Sequence, residues 1–173
     1  MDHVVLLRGI NVGGINIKMA DLRDTLTTAG FDKVRTVLAT GNVTLQSSLP
    51  AAKVKPSIEK ILSDRFGYEA WVLVLDEPTL RAIVDRYPFD PENQGRHPYV
   101  VFSNNPEHLS ELATISGTLD PALERVVPGD GVLYWEVVKG NTTDSAVGKL
   151  TSKAKYKPTT TTRNLRTLIK MLA

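Results

Sequence analysis

Residues 4–14 read Val4-Val5-Leu6-Leu7-Arg8-Gly9-Ile10-Asn11-Val12-Gly13-Gly14, an apolar run followed by a turn that contains three glycines. Four apolar residues in succession predict a buried strand, and a helical pattern starts shortly after the turn. Glycine lets a backbone come close to a ligand, and successive N–H groups in such a turn can form a nest for an anion. We therefore predict a ligand-binding turn that includes Arg8, Asn11, Gly13 and Gly14. The alternative is a tight turn whose side chains only hold the backbone together.

Two familiar nucleotide signatures are missing from the chain. Gly9, Gly13 and Gly14 do not have the G-x-G-x-x-G spacing of a dinucleotide-binding turn. A Walker loop needs Ser or Thr after its lysine, whereas Lys149 is followed by Leu150. The glycine-rich turn therefore does not predict a nucleotide cofactor, and we predict no cofactor of any kind.

The composition is that of an ordinary soluble globular protein, with 42% hydrophobic and 23% charged residues among 173. Without cysteine there are no disulfides and no thiolate metal sites, and the three histidines lack metal-ligand spacing, so no metal is expected. No apolar run approaches the roughly 18 residues of a membrane helix, and the N-terminus does not resemble a signal peptide. We expect a cytoplasmic protein without a membrane segment.

In the first half of the chain, apolar residues alternate between the spacing of a strand and the spacing of a helix. Strand patterns surround helical ones in the order strand, helix, strand, strand, helix, strand, at residues 4–7, 19–29, 34–38, 43–46, 54–66 and 70–75. This order is typical of the ferredoxin-like plait, in which two helices cover one face of a small antiparallel sheet.

The second half repeats the order after a bridging helix at 78–87 and a polar, proline-rich linker at 88–98. We predict further strands and helices at 99–102, 106–116, 124–127, 132–138 and 143–153, and a closing helix capped by the Thr159–Thr162 run. The fold class is therefore α+β, with two tandem ferredoxin-like domains. The predicted boundaries are 1–76 and 98–173, with 77–97 between them, and the last strand of the second domain is left open.

Two further polar motifs are candidates for ligand binding. Gly41 and Asn42 lie between two predicted strands, where both residues are typical of a hairpin turn, and a ligand contact is the alternative. Thr162, Arg163 and Asn164 precede the last predicted helix. One hydroxyl is enough for a helix cap, whereas Arg163 and Asn164 add donors that suit a carboxylate or phosphate at a helix start.

Four motifs in order make the whole chain resemble a bacterial family called domain of unknown function 1697. They are Leu7-Arg8-Gly9-Ile10-Asn11-Val12-Gly13-Gly14, Met19-Ala20-Asp21-Leu22-Arg23, Thr40-Gly41-Asn42-Val43, and Thr161-Thr162-Arg163-Asn164 leading into Leu168-Ile169-Lys170-Met171-Leu172. The resemblance implies two α-β plaits and no established activity.

The function that these motifs favour is binding of a small anionic or phosphorylated ligand. Arg8 and Arg163 would supply charge, and Asn11, Asn42 and Asn164 would supply hydrogen bonds, at one site between the two plaits. The first alternative is an enzyme acting on a phosphorylated or carboxylated small molecule, although no general base stands out. The second is a purely structural or protein-interaction role. The oligomeric state is left open.

We predict that the chain does not bind nucleic acid tightly. Residues 149–173 contain seven basic and no acidic residues, which is enough for weak electrostatic attraction. However, the predicted strands 4–7 and 43–46 carry none of the aromatic residues on which bases stack. Gel-shift titration should show weak binding at most, lost at physiological salt. Submicromolar binding to single-stranded RNA or DNA at that salt would contradict this expectation.

Overall fold

The computed structural model describes residues 1–10 and 14–173. Their contacts divide the chain into two units, Met1–Arg81 with Lys170–Ala173, and Ala82–Ile169. The four terminal residues are grouped with the first unit, where two arginines bind their carbonyl oxygens. Arg35 donates to the oxygens of Met171 and Ala173, and Arg81 donates to that of Leu172.

The first unit contains one four-stranded sheet. Its elements are β1 (Asp2–Arg8), α1 (Met19–Thr28), β2 (Asp32–Val37), β3 (Asn42–Gln46), α2 (Ala51–Phe66) and β4 (Trp71–Asp76), followed by α3 (Glu77–Asp85), which ends in the second unit. The strand order is β2-β3-β1-β4, and all neighbouring strands are antiparallel. The predicted strand at 4–7 is confirmed as the buried part of the central strand β1.

The second unit contains a sheet of the same size. Its elements are β5 (Arg96–Ser103), α4 (Pro106–Ala113), a 3₁₀ turn (Thr114–Thr118), β6 (Glu124–Pro128), β7 (Val132–Val138), α5 (Ala146–Thr151), β8 (Thr160–Asn164) and α6 (Leu165–Leu172), the last of which ends in the first unit. The strand order is β6-β7-β5-β8, again antiparallel throughout. Two antiparallel sheets with helices confirm the α+β class. In the described ranges, no helix is long and apolar enough to cross a membrane.

The predicted cap at Thr159–Thr162 is wrong, because these residues are mainly part of a strand. Thr160–Asn164 forms β8, which pairs with β5 so that Arg163 lies opposite Val100. Threonine is branched at Cβ, which favours an extended backbone that pairs with a neighbouring strand. The following helix begins at Leu165, and its cap is Asn164, whose side-chain oxygen accepts the N–H of Arg166 at 2.9 Å.

The hairpin between β2 and β3 is packed directly against the end of β1. Gly41 has a φ of +83°, and a Cβ at this position would lie 2.8 Å from the Cβ of Leu7 and 2.9 Å from Cδ1 of Ile10. The backbone carbonyl of Gly41 accepts the N–H of Leu7 at 2.8 Å. Glycine is therefore required here both for the backbone angle and for the contact.

In the second unit, a buried carboxylate occupies the N-terminus of α5. Glu124 is 3% exposed and accepts three hydrogen bonds, from the indole N–H of Trp135 at 3.1 Å and from the backbone N–H groups of Ala146 and Val147 at 2.8 and 3.2 Å. A helix N-terminus attracts negative charge, and its first N–H groups need acceptors. The carboxylate therefore attaches the helix to the sheet.

We expect Gly41→Ala to lower the free energy of unfolding by about 2–4 kcal/mol, because overpacking adds to the cost of a positive φ. Gly140 is a matched control, since its φ is +85° and a Cβ added there would have no atom within 4 Å. Gly140→Ala should cost only about 1–2 kcal/mol, which is the backbone contribution alone. Urea unfolding measures both values, and equal losses would contradict the steric argument.

Replacing Glu124 by glutamine should destabilise the fold by roughly 2–4 kcal/mol, because an NH₂ group then faces donors in a buried site. The exposed loop residue Glu92 serves as the control, and Glu92→Gln should change stability by less than about 0.5 kcal/mol. Thermal or urea unfolding tests the pair. A Glu124→Gln variant as stable as the Glu92→Gln variant would show that the carboxylate is not needed to hold α5.

Candidate functional site

Arg8 is the last residue of β1 and lies opposite Trp71 of β4. It is partly exposed, and burial lowers the pKa of its guanidinium below the usual value. A guanidinium in this setting remains a cation at neutral pH. Of the glycine-rich turn that follows, the predicted residues Asn11 and Gly13 lie outside the described residues. Gly14 is exposed and has a φ of +98°.

Asn42 lies at the same sheet edge as Arg8, because the antiparallel register of β1 and β3 places it opposite Leu6. Its side chain is fully buried. The amide nitrogen donates to the carbonyl of Val37 at 3.0 Å and to the hydroxyl of Thr40 at 2.7 Å. These contacts close the hairpin, so they support the structural interpretation of Asn42.

Arg163 lies in β8, opposite the fully buried Val100. Burial lowers the pKa of its guanidinium to about 10, which still leaves it charged at neutral pH. Nη1 donates to the hydroxyl of Thr161 at 2.5 Å and to the carbonyl of Thr162 at 3.3 Å. Arg163 is partly buried, so strand β8 positions a positive charge that is only partly in contact with solvent.

The two neighbours of Arg163 differ in what they do. Asn164 is partly exposed, but its side-chain oxygen already accepts the N–H of Arg166 as the cap of α6. Thr162 is also partly exposed and lies opposite Val101 in the β5–β8 pair.

The predicted residues therefore form two groups. Arg8, Gly14, Gly41 and Asn42 belong to the first unit, and Thr162, Arg163 and Asn164 belong to the second.

An ion cluster around the buried Glu136 of β7 was not predicted from the sequence. Glu136 is 1% exposed, and its Oε1 accepts from Arg125 at 2.7 Å and from Arg96 at 3.3 Å. Within the described residues, its Oε2 is buried without a hydrogen-bond partner. Burial and the nearby Glu136 carboxylate raise the pKa of Tyr87. A single acidic residue inside the apolar run of residues 132–138 was the available signal for this cluster.

A cavity of about 300 Å³ in the first unit was also not predicted. Its lining includes the charged residues Asp2, Lys33, Arg35 and Glu77. They come from different strands and from the start of α3, so that no local motif unites them. In residues 1–10 and 14–173, no group of three or more His, Cys, Asp or Glu side chains is arranged to hold a metal ion.

Among solved structures, the conserved bacterial protein SP0830 from Streptococcus pneumoniae is similar to this chain. The TM-score is 0.79 at 23% sequence identity, and the match covers 99% of this chain and 96% of the other. At this identity, the likeness establishes a shared fold. No curated protein matches the chain.

The family model described as "Protein of unknown function (DUF1697)" matches residues 1–134. This match spans the glycine-rich turn, the hairpin that packs against β1 and most of the second sheet. The chain therefore belongs to the DUF1697 family.

Proposed function

We propose that the protein is a binding module for a small anionic or phosphorylated ligand, and that Arg163 is its principal cationic contact. The observation that carries this proposal is the position of Arg163 on β8, where its partly buried guanidinium binds the hydroxyl of Thr161 and burial lowers its pKa to about 10. An isolated exposed arginine gains little from an anion, because water screens the attraction. In a site with a lower effective dielectric constant, the same attraction is several times stronger.

The contacts of Arg163 support a role in recognition. The hydroxyl of Thr161 and the carbonyl of Thr162 both bind Nη1, so they orient one arm of the planar group. An oriented guanidinium can bind a carboxylate or phosphate with two parallel hydrogen bonds. Thr162 precedes Arg163 on the same strand, so its side chain lies on the opposite face of the sheet and its backbone carbonyl contacts the guanidinium.

Arg8 is the second candidate contact, in the first unit. Burial lowers its pKa as well, and it follows the fully apolar part of β1. Because Arg8 and Arg163 belong to different units, each is tested by its own substitution. A purely structural role for the two arginines is the alternative that these tests distinguish from ligand binding. An enzyme that uses the same arginines is the other alternative, and it would show the same stabilisation by an anion.

We also propose that both units are ferredoxin-like plaits. Each has the order β-α-β-β-α-β, and the strand orders β2-β3-β1-β4 and β6-β7-β5-β8 correspond to each other. The domain limits 1–76 and 98–173 and the cytoplasmic location stay predictions. A chain without cysteine is compatible with a reducing compartment.

The test is thermal unfolding of the full chain with inorganic phosphate, pyrophosphate, adenosine monophosphate and citrate. An anion present at a hundred times its dissociation constant stabilises the folded state by about 2.7 kcal/mol. For a chain of this size, the melting temperature should rise by roughly 5–11 °C. Arg163→Gln should abolish this rise, while Arg163→Lys should retain part of it. Arg8→Gln shows whether the first unit contributes.

Lys157→Gln is the matched control, because Lys157 is an exposed cation of the same basic segment. Its variant should keep the full response, although it changes the net charge just as Arg163→Gln does. The proposal fails if no anion raises the melting temperature of the wild type. It also fails if Arg163→Gln responds as strongly as Lys157→Gln does.

A further inference from the structure

The cavity in the first unit has walls of opposite charge. Lys33 and Arg35 come from β2, at one edge of the sheet, whereas Asp2 comes from the central strand β1. Glu77, the first residue of α3, adds a second carboxylate, which already forms an ion pair with Arg81 at 2.7 Å, so Asp2 is the main anionic group of this wall. Because β3 lies between β2 and β1, the two strands are about 10 Å apart. The cavity therefore has a cationic side and an anionic side.

The charges of the two walls do not neutralise each other. Among the described residues, no ion pair joins Lys33 or Arg35 to Asp2 or Glu77. Arg35 instead donates to the carbonyls of Met171 and Ala173, at 2.9 and 3.3 Å. Asp2 accepts from the side-chain amide of Gln46 at 2.7 Å. Within residues 1–10 and 14–173, the ammonium group of Lys33 makes no hydrogen bond.

We propose that this cavity binds a short zwitterion of about dipeptide size, with its carboxylate at Lys33 and Arg35 and its ammonium group at Asp2. The volume of about 300 Å³ lies at the small end of ligand pockets. In a single α-amino acid, the two charged groups share one carbon atom and are too close together to reach both walls. A dipeptide separates them by a further residue, and Gln46 lies between the walls as a hydrogen-bonding group for its amide.

Two substitutions test the cationic and the anionic wall one at a time, and neither breaks a described contact. Lys33→Gln removes a cation that has no described partner to lose. Asp2→Asn removes the charge but keeps a side-chain oxygen, which can still accept from Gln46. Arg35 is less suitable, because its loss also removes the hydrogen bonds to the end of α6. The matched controls are the exposed residues Lys53 and Asp24 on the helices of the same unit.

The experiment is isothermal titration calorimetry of the full chain with dialanine, N-acetyl-dialanine, dialanine amide and acetate. Dialanine should bind, and blocking either end should weaken binding about tenfold or more, which corresponds to the loss of one charged contact. Lys33→Gln should weaken the binding of dialanine but leave the binding of dialanine amide unchanged, because dialanine amide has no carboxylate that Lys33 could bind. Asp2→Asn should weaken the binding of dialanine but leave the binding of N-acetyl-dialanine unchanged, because the acetylated end carries no ammonium group.

This pattern distinguishes recognition from a general effect on folding, which would weaken all four probes equally. Lys53→Gln and Asp24→Asn should bind dialanine as the wild type does. The proposal is overturned if dialanine does not bind, if acetate or either blocked dipeptide binds as tightly, or if the control variants lose as much affinity as the wall variants. Arg163 is not among the residues that line this cavity, so the two proposals are tested by different substitutions.

Discussion

The contact between Gly41 and Leu7 is the constraint on which the first sheet depends. Strand β3 follows this contact directly, and its register opposite β1 is set by the Leu6–Asn42 pair. Because side chains alternate between the faces of a strand, a shift by one residue would move Val43 and Leu45 out of the core. A side chain at position 41 would force such a change or push the hairpin away, so the absence of a single Cβ maintains the packing of the central strands.

The same packing explains why polar motifs that look alike in the sequence differ in role. Asn42 closes the hairpin from a fully buried position, and Asn164 caps α6, so the amides of both are used in holding the backbone. Arg8 is the last residue of β1 and Arg163 lies within β8, and burial lowers the pKa of both guanidinium groups. The proposed ligand contact therefore rests on the two arginines and not on Asn42 or Asn164.

In the second unit, the N-termini of α5 and α6 are occupied by side chains of the protein itself. The N-terminus of α5 is filled by the protein's own carboxylate, Glu124, and that of α6 is capped by Asn164. Both ends already have acceptors for N–H groups that an external anion would otherwise bind. An anion bound in this unit, as we propose, would therefore be held by a side-chain cation such as Arg163 and not by a helix terminus.

Local pattern alone determined the α+β class, the buried strand at 4–7 and the strand at 132–138, because apolar periodicity and turn residues act over a few positions. The tertiary structure decided that Thr160–Asn164 is a strand, since that outcome depends on pairing with β5, about sixty residues earlier in the chain. The tertiary structure also decided which polar side chains are buried and which charged side chains, such as Asp2 and Lys33, line the cavity in the first unit. Burial and cross-strand register are set by contacts between distant segments, and no local pattern contains them.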